Sequence, residues 1–303
     1  MTNKFRNIND HIPRPDYSEE AEAIVEEYRK ALREIRMTLL EIPENNVNLR
    51  AMLYVKEEQI KAILRELDGK AIGMTEKLIL QAAEDGIANT LYSLGYADSI
   101  EQAAVLVAFG AINRPYVEAV LADTQADLLA ITKNTERKTI QLMRRAMADG
   151  MREVFAQGGG QGDDVYRNVM SKIIDDGNVA IIDSAGRKWK LETYVRMATE
   201  TKAMTAHRDA AINAGIEEGS HYALISSHGA TDACQFYENT IVSLVGGSNE
   251  YNAPYVEDLP RNDVFHPRCK HVLTPIPDPS VYIEEGYEVS PRRTPPMPKK
   301  RKK

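Results

Sequence analysis

Residues 179–214 read VAIIDSAGRKWKLETYVRMATETKAMTAHRDAAINA, and the periodicity of this stretch changes partway along. VAIIDSAGRKWKL alternates apolar and polar residues on either side of a Ser184–Gly186 turn, as a β-hairpin does. From Glu192 to Ala214 the pattern becomes helical, with Tyr194, Val195, Ala198 and Thr201 on one side and Gly215 placed where a C-terminal cap is expected. Two short β-like runs follow, HYALISSH and NTIVSL, rich in residues that suit a pleated, half-buried surface. Hairpin, helix and strands in that order predict a small α+β domain over 163–276.

Upstream the signal is helical. Ser18 stands where an N-cap belongs, Glu19, Glu20 and Glu22 favour the positive end of the helix dipole, and Ala21, Ile24, Val25, Tyr28, Leu32, Ile35 and Leu39 recur at helical spacing. After Pro43 the pattern repeats over Leu49–Leu67, Thr75–Leu94 and Ser99–Ile112, with Gly69, Gly73, Gly95 and Asn113 as punctuation. No proline occurs between Pro115 and Pro254, and Asp123–Phe155 is rich in strong helix formers, enough for one or two long helices. QGGGQG at 157–162 has a backbone entropy that neither helix nor strand favours, so it reads as a linker, with a further helix over Asp164–Ile174. Beyond Thr274 come PIPDPS and PRRTPPMPKKRKK, in which no fold is expected. The predicted class is α+β, mainly α: a helical N-terminal domain over 1–156, the α+β domain, and a disordered basic tail over 277–303.

With 303 residues, 43% hydrophobic and 27% charged, the chain is of soluble globular type and long enough for two domains. Its longest apolar run, Ala103–Ile112, is too short to span a bilayer, and MTNKFRNIND lacks the apolar core of a secretory signal. A protein made in the cytosol, without membrane partners, is expected. Arg292, Arg293, Lys299, Lys300, Arg301, Lys302 and Lys303 lie in the stretch from Pro291 onward, which holds no acid, so the rest of the chain keeps 31 basic residues against 45 acidic ones. An acidic body with a polycationic end points to nucleic acid, or an acidic surface, as what the tail touches.

Two cysteines exclude a disulfide framework, but Cys234 and Cys269 sit among histidines: His228-x5-Cys234 and His266-x2-Cys269-x-His271. Each cluster offers two ligands of the kind zinc prefers, and Pro267 fixes a turn that would aim His266 and Cys269 at one point. The expectation is a structural zinc on His228, Cys234, His266 and Cys269, with His271 as the alternative fourth ligand. A lone disulfide and free buried thiols are the alternatives. Other chemistry finds little support. QGGGQG lacks the Lys-Ser/Thr of a phosphate-binding loop, no partner is evident for Glu200 as a catalytic carboxylate, and there is no Cys-x-x-Cys for a zinc deaminase. Cys234 with His228 or His266 could make a thiolate nucleophile and its base, so a metal- or cysteine-dependent enzyme or effector is the rival reading.

Three blocks in this order, GRKWKLETYVRMATET (186–201), ISSHGATDACQFYENTIVSL (225–244) and FHPRCKHVLTP (265–275), resemble the phage minor capsid protein 2 family and, more distantly, the Mu F-like head-morphogenesis proteins. Where that family often carries a tryptophan and a glycine after the first cysteine, this chain has Phe236 or Tyr237, and Asn239. The resemblance implies a non-enzymatic, structural virion protein, assembled in the host cytoplasm and located in the phage head or at the portal vertex. It implies portal and/or major capsid subunits as partners, and phage DNA as a further contact.

Overall fold

The computed structural model describes residues 12–41, 49–108, 110, 113–156, 180–182 and 188–289. In chain order these form α1 (Ser18–Leu40), α2 (Leu49–Ser93), α3 (Ile100–Val105), α4 (Asn113–Ala156), strands β1 (Ala180–Ile182) and β2 (Lys188–Lys190), α5 (Leu191–Glu217), β3 (Tyr222–Ile225), β4 (Ile241–Ser243), β5 (Leu273–Ile276) and α6 (Pro279–Glu284). The class is mainly helical with a small antiparallel sheet near the C-terminal end, as the sequence predicts. The linker at 157–162, the helix over 164–174, the turn at 184–186 and the cations from Arg292 onward lie outside the described residues. Contacts group the chain into two units, one drawn from 1–19, 76–122 and 197–303, the other from 20–75 and 123–196.

In the second of these, α1 buries Ala21, Ile24, Val25, Tyr28, Ala31 and Ile35, the predicted stripe with Ala31 in place of Leu32 and without Leu39. Ile60, Leu64 and Leu67 of α2 and Leu128, Ile131 and Met143 of α4 complete the core. The Tyr28 hydroxyl donates to the Leu128 carbonyl, and Arg144 forks both oxygens of Glu57 at 2.8 and 3.0 Å. β1 and β2 pair antiparallel, Ile181 opposite Trp189, as the hairpin reading requires.

The other unit holds the three-stranded sheet, in the order β4-β3-β5, all antiparallel. Alternation along the strands splits its side chains between two cores. Ala223, Ile225, Val242 and Leu273 pack with Ile212 of α5 and with Val256, Val264 and Phe265. Leu224, Ile241 and Ile276 face the opposite way, onto Tyr282 of α6 and Ile12. Both edges are managed. Pro275 sits on the edge strand β5, where a missing N–H is tolerated, and β4 is covered by a bridge from Thr240 to Glu288.

Several boundaries differ from the sequence reading, each for a physical reason. α2 runs straight through Gly69 and Gly73: the roughly 1 kcal/mol each costs in helix propensity is outweighed by buried Leu64, Leu67, Ala71 and Leu78 on either side. The helix predicted over 99–112 is confined to Ile100–Val105, with Ser99 as its N-cap. α4 starts ten residues before the predicted Asp123, and Pro115 is accommodated in its first turn, where the absent N–H is an orphan anyway. At the start of α1 the capping acceptor is Asp16, which takes the Ser18 N–H at 3.1 Å.

Gly215 does not end α5. Its Cα passes so close to β5 that an added Cβ would stand 2.7 Å from Pro275 Cγ, whereas Gly219, at φ +80°, makes the cap. The Ser220 and Gly219 N–H groups return to the Gly215 and Ile216 carbonyls, the two bonds of a Schellman end. Of the predicted stripe Tyr194, Val195, Ala198 and Thr201, only Val195 is buried; the buried line is Leu191, Val195, Thr199 and Ala203, at fourfold spacing. The expectation of no fold beyond Thr274 is corrected as far as residue 289. β5 extends to Ile276, and α6 follows with Asp278 as N-cap, Pro279 in its first turn and Tyr282 buried.

Candidate metal centre

Antiparallel pairing places the end of β3 beside the beginnings of both β4 and β5, with Leu224 opposite Ile241 and Ile225 opposite Leu273. The segment linking β3 to β4 and the segment entering β5 therefore meet at one end of the sheet. In the first, Asp232 caps a 3-10 turn, Ala233–Phe236, by accepting the Cys234 N–H at 3.1 Å, and this turn directs Cys234 inward. In the second, the Cys269 N–H donates to the His266 carbonyl at 2.9 Å across Pro267 and Arg268, and Arg268 takes φ +66°. Proline followed by a left-handed residue is the type II turn pattern, and it throws His266 and Cys269 to the same side.

Cys234, His266 and Cys269 present ligand atoms within 4.8 Å of one another. The sulfurs are 3.6 Å apart, and His266 Nε2 is 3.1 Å from the Cys234 sulfur. Zinc with bonds of about 2.3 Å to sulfur and about 2.0 Å to nitrogen in tetrahedral geometry sets sulfurs about 3.8 Å apart, and sulfur and nitrogen about 3.5 Å apart. The ligand types and spacings fit that ion. His266 Nδ1 lies 2.9 Å from the Pro267 carbonyl and Nε2 lies 3.4 Å from Asp232 Oδ2, both groups that only accept; in the neutral ring the shorter contact keeps the proton on Nδ1, and Nε2 faces the thiols as a lone pair.

A second group, His228, Glu238 and His271, also falls within 4.8 Å. The His228 and His271 rings are 4.2 Å apart, and His271 Nδ1 lies 3.3 Å from the Cys269 sulfur. Of the sequence-predicted set, then, Cys234, His266 and Cys269 come together, His271 adjoins them, and His228 belongs to the neighbouring group. Glu238 was not foreseen. It accepts the backbone N–H groups of His228 and Ala230 at 2.8 and 2.9 Å and the Ser227 hydroxyl at 3.1 Å. Those bonds, with nearby His271, outweigh burial and hold its carboxyl below the usual range. Its one sequence signal is a lone acid before the apolar run NTIVSL. Asn239, next along, takes φ +60°, a left-handed conformation that asparagine tolerates.

Burial is the main influence on Cys234 and His271. It pushes the Cys234 thiol well up, reinforced by Cys269 and Asp232, and it pushes His271 down to about 4, helped by His228 and opposed by Glu238. Glu200 pairs with Arg268 at 3.4 Å rather than facing open solvent.

These features define a class: a mainly helical protein whose small C-terminal sheet closes on a buried thiol–imidazole cluster. The family follows from the sequence pattern of phage minor capsid protein 2, which matches residues 45–288, a span that takes in α2 to α6 and every residue of the cluster. The chain belongs to that family and is a structural component of a phage particle. No curated protein and no solved structure matches it. Among the described residues no helix is long and apolar enough to cross a membrane.

Proposed function

We propose that this minor capsid protein acts in head morphogenesis beside the portal vertex, bound to portal and/or major capsid subunits, and that a structural zinc on Cys234, His266 and Cys269 fixes the end of its C-terminal sheet. Membership of the minor capsid protein 2 family over residues 45–288 is the observation that carries the assembly role. The metal rests on donor chemistry: two buried thiols and an imidazole with its lone pair turned toward them, at near-tetrahedral spacing. Its task is structural. The connection between Cys234 and His266 contains Gly246, Gly247 and many polar residues, and a metal clip there closes a loop of about thirty residues. Cations at 292–303 suit a sequence-independent contact with packaged DNA.

The rival reading of Cys234 as a nucleophile with His266 as its base meets a physical objection. A reactive cysteine is partly exposed and has a depressed pKa, whereas Cys234 is 2% exposed and its thiol is pushed up. Assembly in the host cytoplasm is the corresponding expectation. Cryo-EM of the head and neck, with this chain tagged at its N-terminus, tests the location. Density at or just inside the portal vertex supports the proposal; tag density spread over the hexons or on the tail contradicts it.

A further inference from the structure

Resting on the zinc reading above, we infer that His271, not His228, completes the coordination sphere through Nδ1, and that Glu238 is the positioning residue that sets its tautomer. The site is then a closed Cys2His2 centre with no open position for substrate or water.

The tautomers are set by the neighbouring groups that can only accept a hydrogen bond. Glu238 Oε1, 3.3 Å from His271 Nε2, belongs to a carboxylate, so the proton between them sits on Nε2. Neutral His271 therefore carries its lone pair on Nδ1, and Nδ1 is the atom that lies 3.3 Å from the Cys269 sulfur, close to the sulfur–nitrogen edge of a zinc tetrahedron. His266 has its nitrogens exchanged: Nδ1–H donates to the Pro267 carbonyl, and Nε2 faces Cys234 at 3.1 Å with Asp232 Oδ2 farther off at 3.4 Å. Two histidines, each with the outward nitrogen tied to an oxygen acceptor and the inward one aimed at a thiol, form the pattern in which metal-bound imidazoles are oriented by their outer partners.

His228 lacks that arrangement. Its Nε2 is buried with no hydrogen-bond partner among the described residues, and its ring contact is with His271 rather than with either cysteine. The His228, Glu238, His271 group is also a poor second cation site. Glu238 already accepts two backbone N–H groups and the His271 Nε2–H on Oε1 and a hydroxyl on Oε2, a saturation of Oε1 that leaves a single lone pair on Oε2. That saturation holds Glu238 in place, and 1% exposed His271 is in turn held by Glu238.

The test uses the full chain purified without chelator, zinc and cobalt(II) as probes, and competition against a chromophoric chelator. Wild type is expected to hold one equivalent of zinc and to give the visible bands of tetrahedral cobalt. His228→Ala should keep both, with affinity within about threefold. Glu238→Gln should weaken binding by about 10- to 100-fold while the tetrahedral cobalt spectrum persists. His271→Cys guards against simple unfolding of a truncation variant: it should retain one equivalent and gain a third thiolate-to-cobalt charge-transfer contribution. Loss of metal in His228→Ala, a two-thiolate spectrum in His271→Cys, or unchanged affinity in Glu238→Gln each overturns the assignment. Wild type without zinc, in contrast, overturns the underlying zinc reading itself.

Discussion

Gly86 lies inside α2, where glycine is normally a liability, and replacing it with alanine should destabilise the protein while the same change at Gly69 or Gly73 stabilises it. Helix propensity favours alanine over glycine by about 1 kcal/mol at each position. At Gly69 and Gly73 an added Cβ meets nothing within 4 Å, so that gain is realised. At Gly86 the Cβ is driven into the His207 carbonyl of α5, with the carbonyl carbon only 3.0 Å away and both groups backbone. Neither helix can yield by rotating a side chain, and nearby bonds resist separation: Asn89 Nδ2 lies 3.1 Å from His207 Nε2, and the Thr90 hydroxyl reaches both the Gly86 and Ala211 carbonyls. Overpacking of this kind costs about 3 kcal/mol or more, at the upper end of its usual range, leaving a net loss of about 2 kcal/mol. Urea unfolding of the three single variants reads the difference, and in thermal unfolding the loss corresponds to a fall of about 4–8 °C for a domain of this size. A neutral or stabilising Gly86→Ala would show that α2 and α5 do not approach as described.

Arg268→Gly places the residue that suits φ +66° in the type II turn; relief of about 1–2 kcal/mol of strain, less the added freedom of the unfolded chain, should raise stability by about 0.5–1 kcal/mol, and a clear loss in urea unfolding would reject the turn assignment. Burial, with Arg208 adding to it, lowers His207 to about 4 from its ordinary 6.5. The unfolded chain therefore takes up that proton first on acidification, so His207 lets stability drain by about 3 kcal/mol between pH 6.5 and 4 and has no effect above that window. Unfolding free energies measured across this range for wild type and His207→Gln should diverge in slope; parallel slopes would mean that His207 titrates normally. A chain ending at Ser290 keeps α6 and Tyr282 but removes all seven tail cations, and it should bind DNA more weakly, with a log–log salt slope shallower by up to about 6 in fluorescence titrations; an unchanged slope would place the DNA contact elsewhere.

What could be read in the sequence was whatever repeats at short range. The α1 stripe, the β1–β2 hairpin and the strands in HYALISSH and NTIVSL follow from periods of 3.6 and 2, and the candidate ligands Cys234, His266 and Cys269, which the fold brings together, were legible from residue type and the Pro267 turn. What escaped depends on partners distant in the chain. Gly69 and Gly73 look like breaks until the buried neighbours that carry α2 across them are known, and Gly215 looks like a cap until Pro275 is found against it. β5 hides behind Pro275, which argues against a central strand and is acceptable only because β5 lies at the edge. Glu238 has no motif at all; its role comes from four donors, one of them 33 residues away. Segments from separate stretches share each contact unit, an arrangement with no local signature.

As a minor capsid protein, this chain is built into the phage particle. Quantitative mass spectrometry of gradient-purified procapsids and mature heads, referenced to the portal protein, measures this directly. The chain should be present in both at a low, fixed ratio to portal. Its absence from both particles, with the protein free in the lysate, would contradict the claim.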